Sequence, residues 1–205
     1  MEKEIFRPLL EGKSIVEELI KKSIGVRKET YFDFTATGLA FEPIESRMME
    51  VLEFYANTHS KEAYLAATMQ NLYESARKSL KSSLALSDDF LLIPSGYGAT
   101  GAIKRFQELM GLYIPPAVCK RLGSKPEVEK KPLVIIGPYE HHSNELGFRE
   151  SICDIYRVPL NSHGFVDLKN LERVLNENRG REIIGSFCIA SNATGIITPY
   201  KEISR

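Results

Sequence analysis

The chain has 205 residues, 43% of them hydrophobic, so it can bury roughly 70% of its extended-chain surface and is neither disordered nor fibrous. Lysine and arginine total 27 against 27 aspartate and glutamate, a balance that excludes a polycationic nucleic-acid surface. No apolar run approaches the ~18 residues that span a bilayer, and the mixed-charge start Met-Glu-Lys-Glu is no export signal, so a cytoplasmic protein is expected.

The first 30 residues carry one short amphipathic pattern, Ile15, Val16, Leu19 and Ile20, ending near Gly25, which predicts an N-terminal helical segment over 1–30. Tyr31 to Phe34 reads as a brief strand. Two longer helices follow: Ile44, Met48, Val51, Leu52 and Tyr55 recur at helical spacing after Pro43, and Leu65, Met69, Leu72, Ala76 and Leu80 do so after Ser60. Both stripes read as core. From residue 90 the pattern changes. Phe90 to Ile93 reads as a strand, Ala99 to Leu112 as a helix with Ala102, Ile103, Phe106 and Met110 inward, and Leu133 to Ile136 as a second strand. The basic residues Lys120, Arg121, Lys125, Lys130 and Lys131 are interleaved with Glu127 and Glu129 in what reads as a solvated loop. Ile155 to Leu160 is a third strand, Asp167 the N-cap of a helix carrying Leu168, Leu171, Val174 and Leu175, and Ile183 to Ala190 a fourth strand. Pro199 to Ile203 begins another helix. Apolar strands alternating with amphipathic helices predict an α/β fold, a mostly parallel sheet in three αβα layers. Cys119, Cys153 and Cys188 are odd in number and far apart, which argues against a disulfide framework or a thiolate zinc site and leaves Cys153 and Cys188 as buried reduced thiols.

Three segments carry candidate chemistry. Ser95-Gly96-Tyr97-Gly98-Ala99-Thr100-Gly101 lies between an expected strand and an expected helix, where backbone N–H groups and the positive helix end suit a phosphate. It also satisfies G-x-G-x-x-G, but the acidic residue ~20 positions on that a dinucleotide site uses is missing, and no Gly-Lys-Ser/Thr follows for a nucleotide P-loop. Gly137-Pro138-Tyr139-Glu140-His141-His142-Ser143-Asn144 follows the second strand; an imidazole there can stack on a planar ring or shuttle a proton, and the adjacent histidines lack the i, i+4 spacing of a helical zinc site. Ala190-Ser191-Asn192-Ala193-Thr194-Gly195 follows the fourth strand and offers the Asn192 amide, or only a turn. His59 and His163 read as isolated loop residues.

In their order these segments resemble the pyridoxal-phosphate-dependent class V aminotransferase family, which includes cysteine desulfurases and selenocysteine lyases. Asp33-Phe-Thr-Ala-Thr-Gly-Leu39 is similar to the family's D-x-x-A-T-G-L segment, Asn57-Thr58-His59-Ser60 to its N-x-H region, Ser95 to Ile103 to its phosphate turn, Glu140 to Asn144 to its E-H-H-x-N motif, and Ser191-Asn192 with Gly195 to its S-N-x-x-G. The resemblance runs from about residue 30 to the end. It implies a fold type I large domain over 31–205 and pyridoxal 5'-phosphate as cofactor, its phosphate held by Gly98, Ala99 and the Thr100 hydroxyl. It implies His141 stacked on the pyridine ring as a catalytic residue, and Asn192 near the cofactor's phenolic oxygen or the substrate carboxylate. It implies an amino-acid substrate and a homodimer; that no metal is expected rests on the spacing of the histidines instead.

The family's pyridine-pairing Asp and its S-x-H-K lysine have no counterpart here, since none of the fifteen lysines follows a histidine. The chain is therefore expected to be the N-terminal part of a longer desulfurase, lyase or transaminase, truncated before the Schiff-base lysine and inactive alone. Two other classes remain open: a free-standing phospholigand- or partner-binding domain without catalysis, and a nucleotide-binding oxidoreductase domain.

Overall fold

The computed structural model of the chain describes residues 13–25 and 30–205, which fall into two units, one reaching to Leu92 and one running from Ile93 to Arg205. In the first, helix α1 (Lys13–Lys22) ends on Lys21 and Lys22, cations that suit the negative end of the helix dipole. Residues 1–12 and 26–29 of the expected N-terminal segment, and the side chains of Ile15 and Val16, lie outside the described residues. Strand β1 (Ser23–Ile24) pairs antiparallel with β2 (Ala40–Phe41). The strand expected over Tyr31 to Phe34 is a turn instead. The amides of Ala36 and Thr37 both donate to the Asp33 carbonyl at 3.0 Å, and the Tyr31 hydroxyl donates to the Asp33 and Thr37 carbonyls at 3.2 and 2.9 Å. Local closure on Asp33 satisfies the backbone where no neighbouring strand does.

Helices α2 (Glu42–Leu52) and α3 (Tyr64–Ser83) form where the 3.6-residue pattern places them, α2 with Pro43 in its first turn. Their stripes are not core. Ile44, Met48, Leu52 and Tyr55 are 55–73% exposed, and of α3 only Ala66 is buried. Helical spacing shows that a face is apolar; it does not supply what covers it.

The second unit contains α4 (Gly98–Leu109), α5 (Pro116–Leu122), β3 (Leu133–Ile136), α6 (His142–Arg149), β4 (Asp154–Arg157), α7 (Leu168–Glu177), β5 (Ile183–Ser186) and α8 (Tyr200–Ile203). The three strands are parallel in the order β4-β3-β5, with Leu133 in register with Asp154 and Ile183. All four residues of β3 are buried, as expected of a strand with no polar face. The pleat sends them alternately to two cores. Leu133 and Ile135 pack with Val158, Val166 and the α7 residues Leu171 and Val174; Val134 and Ile136 pack with Leu112, Phe148 of α6 and Ile103 of α4. Helices thus cover both faces of a parallel sheet, the three-layer α/β arrangement expected. Asp167 caps α7 as expected, accepting the Asn170 amide at 3.0 Å.

Several boundaries differ. Phe90 to Ile93 is not a strand, because among the described residues it has no ladder partner: the Phe90 amide turns back to the Ser87 carbonyl at 3.2 Å, and the Leu92 carbonyl accepts the Arg77 guanidinium at 3.0 Å. Helix α4 turns Ile103 and Gln107 inward rather than Ala102, Phe106 and Met110. Gln107 fits because it faces Gly147 of α6, where a Cβ would lie 2.6 Å from its amide nitrogen. The stretch read as loop around Lys120 contains α5, with Pro116 in its first turn and Gly123 at φ +75° ending it. Strand β4 stops at Arg157, ahead of Pro159, which cannot donate to a ladder. Strand β5 stops at Ser186, although Ala190 forms an isolated bridge to Ile197. Cys119, Cys153 and Cys188 are free and half-buried rather than fully buried.

Candidate functional site

The connection leaving β3 runs through α6 to β4, away from β5. A crevice therefore opens at the carboxyl ends of β3 and β5, the position where open α/β sheets bind ligands. The loop bearing His141 follows β3, and the turn bearing Asn192 follows β5.

Glu140 and Asn144 join these two strand ends. Both Glu140 carboxylate oxygens accept the Cys188 amide, at 2.9 and 3.1 Å, and the Asn144 amide donates to Glu140 at 2.7 Å and to the Ser186 carbonyl at 3.2 Å. The Ser186 hydroxyl donates to Asn144 Oδ1 at 2.7 Å. Gly137 leaves room for the carboxylate, since a Cβ there would lie 2.6 Å from Glu140 Oε1. Burial, and then the neighbouring Glu140 charge, raise the Cys188 thiol above its ordinary pKa.

His141 is exposed and is the N-cap of α6, its Nδ1 accepting the Ser143 amide at 3.2 Å and lying 2.9 Å from the Ser143 hydroxyl. A backbone N–H can only donate, so this contact calls for the tautomer with Nδ1 as acceptor and the ring proton on Nε2. His142 lies beside it with ring centroids 6.1 Å apart. Farther along α6 a hydrogen bond from Arg157 of β4 holds the Glu145 carboxyl below its ordinary pKa against the opposing effect of burial. Among the described residues no group of three or more His, Cys, Asp or Glu side chains could hold a metal ion.

After β5, the Ser191 hydroxyl accepts the amides of Ala193 and Thr194 at 3.3 and 3.1 Å, and the Gly195 amide donates to the Ser191 carbonyl at 2.9 Å with Gly195 at φ +71°. The buried Ser191 builds the turn. Asn192 is exposed at its tip and is not the turn former.

The glycine segment begins α4 but does not follow a strand, so only two of the three expected strand-end positions are sheet ends. Tyr97, the N-cap, sits at φ +65° with no side chain capping the helix, and the first turn contains no acidic residue. The amides of Gly98, Ala99 and Thr100 therefore have no intrahelical acceptor, and all three residues are exposed. Gly101 is fixed by packing: a Cβ there would lie 1.9 Å from the Gly96 carbonyl oxygen. A hollow of about 280 Å³ beside this turn is lined by Ser95, Gly96, Tyr97, Lys104, Arg105 and Glu108, the last two ion-paired at 3.2 Å. A larger hollow, about 730 Å³, opens at the amino ends of the strands among Lys130, Lys131, Asp154, Arg179 and Arg181, where charges of both signs are mixed and Arg181 bonds Asp154.

Sequence reasoning singled out His141 and Asn192 and missed Ser186, Cys188 and the structural part of Ser191. The signal for the first two lies 42 and 48 positions from their partners, outside any local motif.

Residues 114–205 match the family Aminotransferase class-V, a span that includes His141 and Asn192 and leaves out the α4 turn. A cysteine desulfurase of Synechococcus elongatus is 27% identical over 90% of this chain and 28% of its own length, and a probable cysteine desulfurase of Pyrococcus abyssi is 26% identical over 93% of this chain and 44% of its own. The chain thus spans less than half the length of these relatives. The crystal structure of the cysteine desulfurase CsdA from Escherichia coli matches 83% of this chain and 40% of that one, with a TM-score of 0.56 at 21% identity, a likeness of fold. Motifs and relatives point the same way: over residues 114–205 the chain is similar to the class V aminotransferases, and over most of its length to part of the cysteine desulfurases.

Proposed function

We propose that this chain supplies part of the cofactor site of a pyridoxal-phosphate-dependent enzyme that acts on an amino acid, as a cysteine desulfurase, lyase or transaminase. The observation that carries the reading is the uncapped first turn of α4, a set of N–H donors without an intrahelical acceptor and with no carboxylate in that turn, in a chain whose residues 114–205 match this family. The residues fit the cofactor. Gly98 and Ala99 offer backbone donors to its phosphate and Thr100 adds a hydroxyl; Ala99 stands where the family resemblance puts the first threonine of a pair, so one hydroxyl contact is replaced by backbone alone. The exposed His141 ring offers a flat face for stacking and an Nε2 proton to transfer. Asn192, at the tip of its turn, offers an amide donor to an oxygen of cofactor or substrate.

Bound pyridoxal phosphate supplies an electron sink for breaking a bond beside the substrate nitrogen. The chain's own part is to hold the phosphate, orient the ring and move a proton at His141 Nε2. With no S-x-H-K lysine, the 205-residue chain holds the cofactor by non-covalent contacts and does not turn over alone. A homodimer in the cytoplasm belongs to the same reading; among the described residues no helix is long and apolar enough to cross a membrane.

The test is titration of the chain with pyridoxal phosphate, followed by cofactor absorption, with pyridoxal, inorganic phosphate and a nicotinamide dinucleotide as comparators. Saturable binding that phosphate displaces and Thr100→Ala weakens about tenfold or more, the loss of one hydrogen bond to a charged group, is expected. No saturable response overturns the reading. Preference for the dinucleotide selects the oxidoreductase alternative, and equal affinity for unrelated phosphate esters selects a phospholigand module.

A further inference from the structure

We propose that Glu140, Asn144 and Ser186 form a latch that positions the His141 ring and the Ser191–Gly195 turn relative to each other across the crevice between β3 and β5. What is positioned rests on the function proposed above; the latch itself stands on contacts that need no cofactor. The parallel ladder between the two strands ends at Ile136 and Ser186. Beyond it, Glu140 reaches the Cys188 amide with both oxygens, and Asn144 spans Glu140 and Ser186, using its amide nitrogen on both and its Oδ1 to accept the Ser186 hydroxyl. Asn144 accordingly has both its amide nitrogen and its oxygen engaged, and reversing the amide would set like groups against both neighbours.

The placement ties the latch to the site. Glu140 is bonded in sequence to His141, and Asn144 lies in the first turn of the helix that His141 caps. Cys188 lies three residues before Ser191, whose hydroxyl builds the turn carrying Asn192. A carboxylate at 140 also has a space kept for it by Gly137. The imidazole and the amide thus stand on segments that one carboxylate clamps together, and Glu140 is a positioning residue that need not touch substrate.

The test uses the 205-residue chain without cofactor. Glu140→Gln keeps the size but introduces an NH2 group among the donors of Cys188 and Asn144. NMR of this variant should show Cys188 amide exchange about tenfold faster, the scale of one lost charge-assisted hydrogen bond. The His141 ring nitrogen shifts should move away from the Nε2–H tautomer, and the amides of 191–195 should shift with them. Ser186→Ala, which keeps the carboxylate, should move the same resonances to a smaller degree and serves if Glu140→Gln does not fold. Arg157→Met, which breaks an ion pair on the other side of α6, should leave both sets in place. Faster Cys188 exchange with an unmoved His141 ring would make the contacts merely structural and overturn the proposal, as would an unchanged Cys188 amide. If the resonances couple as expected and wild-type chain fails to bind pyridoxal phosphate, the latch stands and the cofactor reading falls; the converse result separates them the other way.

Discussion

Gly101→Ala isolates the requirement for the turn that begins α4. In an ordinary helix position the change is stabilising by about 0.5–1 kcal/mol, because alanine restricts the unfolded chain and suits the helix. Here the new methyl would sit 1.9 Å from the Gly96 carbonyl oxygen and 3.0 Å from Tyr97 Cβ. Carbon and oxygen need more than an ångström of additional separation, and both obstacles belong to a turn whose Tyr97 is already held at φ +65°. Overpacking of this kind costs about 1–3 kcal/mol, and a backbone obstacle lies at the upper end. The net expectation is a loss of about 2 kcal/mol, equivalent to a fall in Tm of about 8 °C for a unit of this size. The chain lacks tryptophan, so far-UV circular dichroism during heating or urea titration is the suitable assay. Ala102→Gly, one position on and solvent-facing, is the control and should lose only ~0.5–1 kcal/mol. A Gly101→Ala protein as stable as wild type or more so would show that the turn does not approach the helix as described. The same variant should weaken pyridoxal phosphate binding, since the turn must open to admit the methyl.

Three further outcomes follow from the packing and the charges. Phe148→Ala empties one of the two cores at a fully buried position and should cost about 3–5 kcal/mol in urea denaturation. Asp167→Ala removes the acceptor of the Asn170 amide at the start of α7 and should cost about 1 kcal/mol, most of which Asp167→Asn restores. The Glu145 carboxyl is held below its ordinary range by Arg157, so its contribution is present above the unfolded-state pKa and is lost as pH falls through the lower folded-state value. Arg157→Met should therefore flatten the acid limb of the stability curve below about pH 5, as read by urea midpoints at successive pH values; an unchanged acid limb would remove Arg157 as the cause.

Where an element carries its own punctuation, the sequence discloses it. Asp167 at the start, Leu171 and Val174 on one face and Gly180 beyond the end define α7 without reference to the rest of the chain. The four apolar residues of β3 announce a strand covered on both sides, and both coverings are present. Helix α5 had equivalent marks in Pro116 and Gly123, masked by a run of mixed charge that resembles a solvated loop. The failures at Tyr31 to Phe34 and Phe90 to Ile93 have another cause. Aromatic and branched residues favour extended backbone, but a strand exists only with a neighbour to hydrogen-bond, and neighbours are set by tertiary structure. The site follows the same division. His141 and Asn192 stand in local motifs and are readable; the clamp formed by Glu140 on Cys188 closes over 48 positions and has no signature in either segment.

The order of the strands also governs how the chain can be made. Leu133 pairs with Ile183, 50 positions later, so during synthesis at ~5–20 residues per second the greasiest segment of the protein waits about 2.5–10 s for its second neighbour to leave the ribosome. Its first neighbour, β4, covers one flank earlier, and the other flank stays an open template throughout that interval. A nascent chain stalled between β4 and β5 is thus the species most prone to self-association, and a chaperone that holds extended apolar peptide would act there.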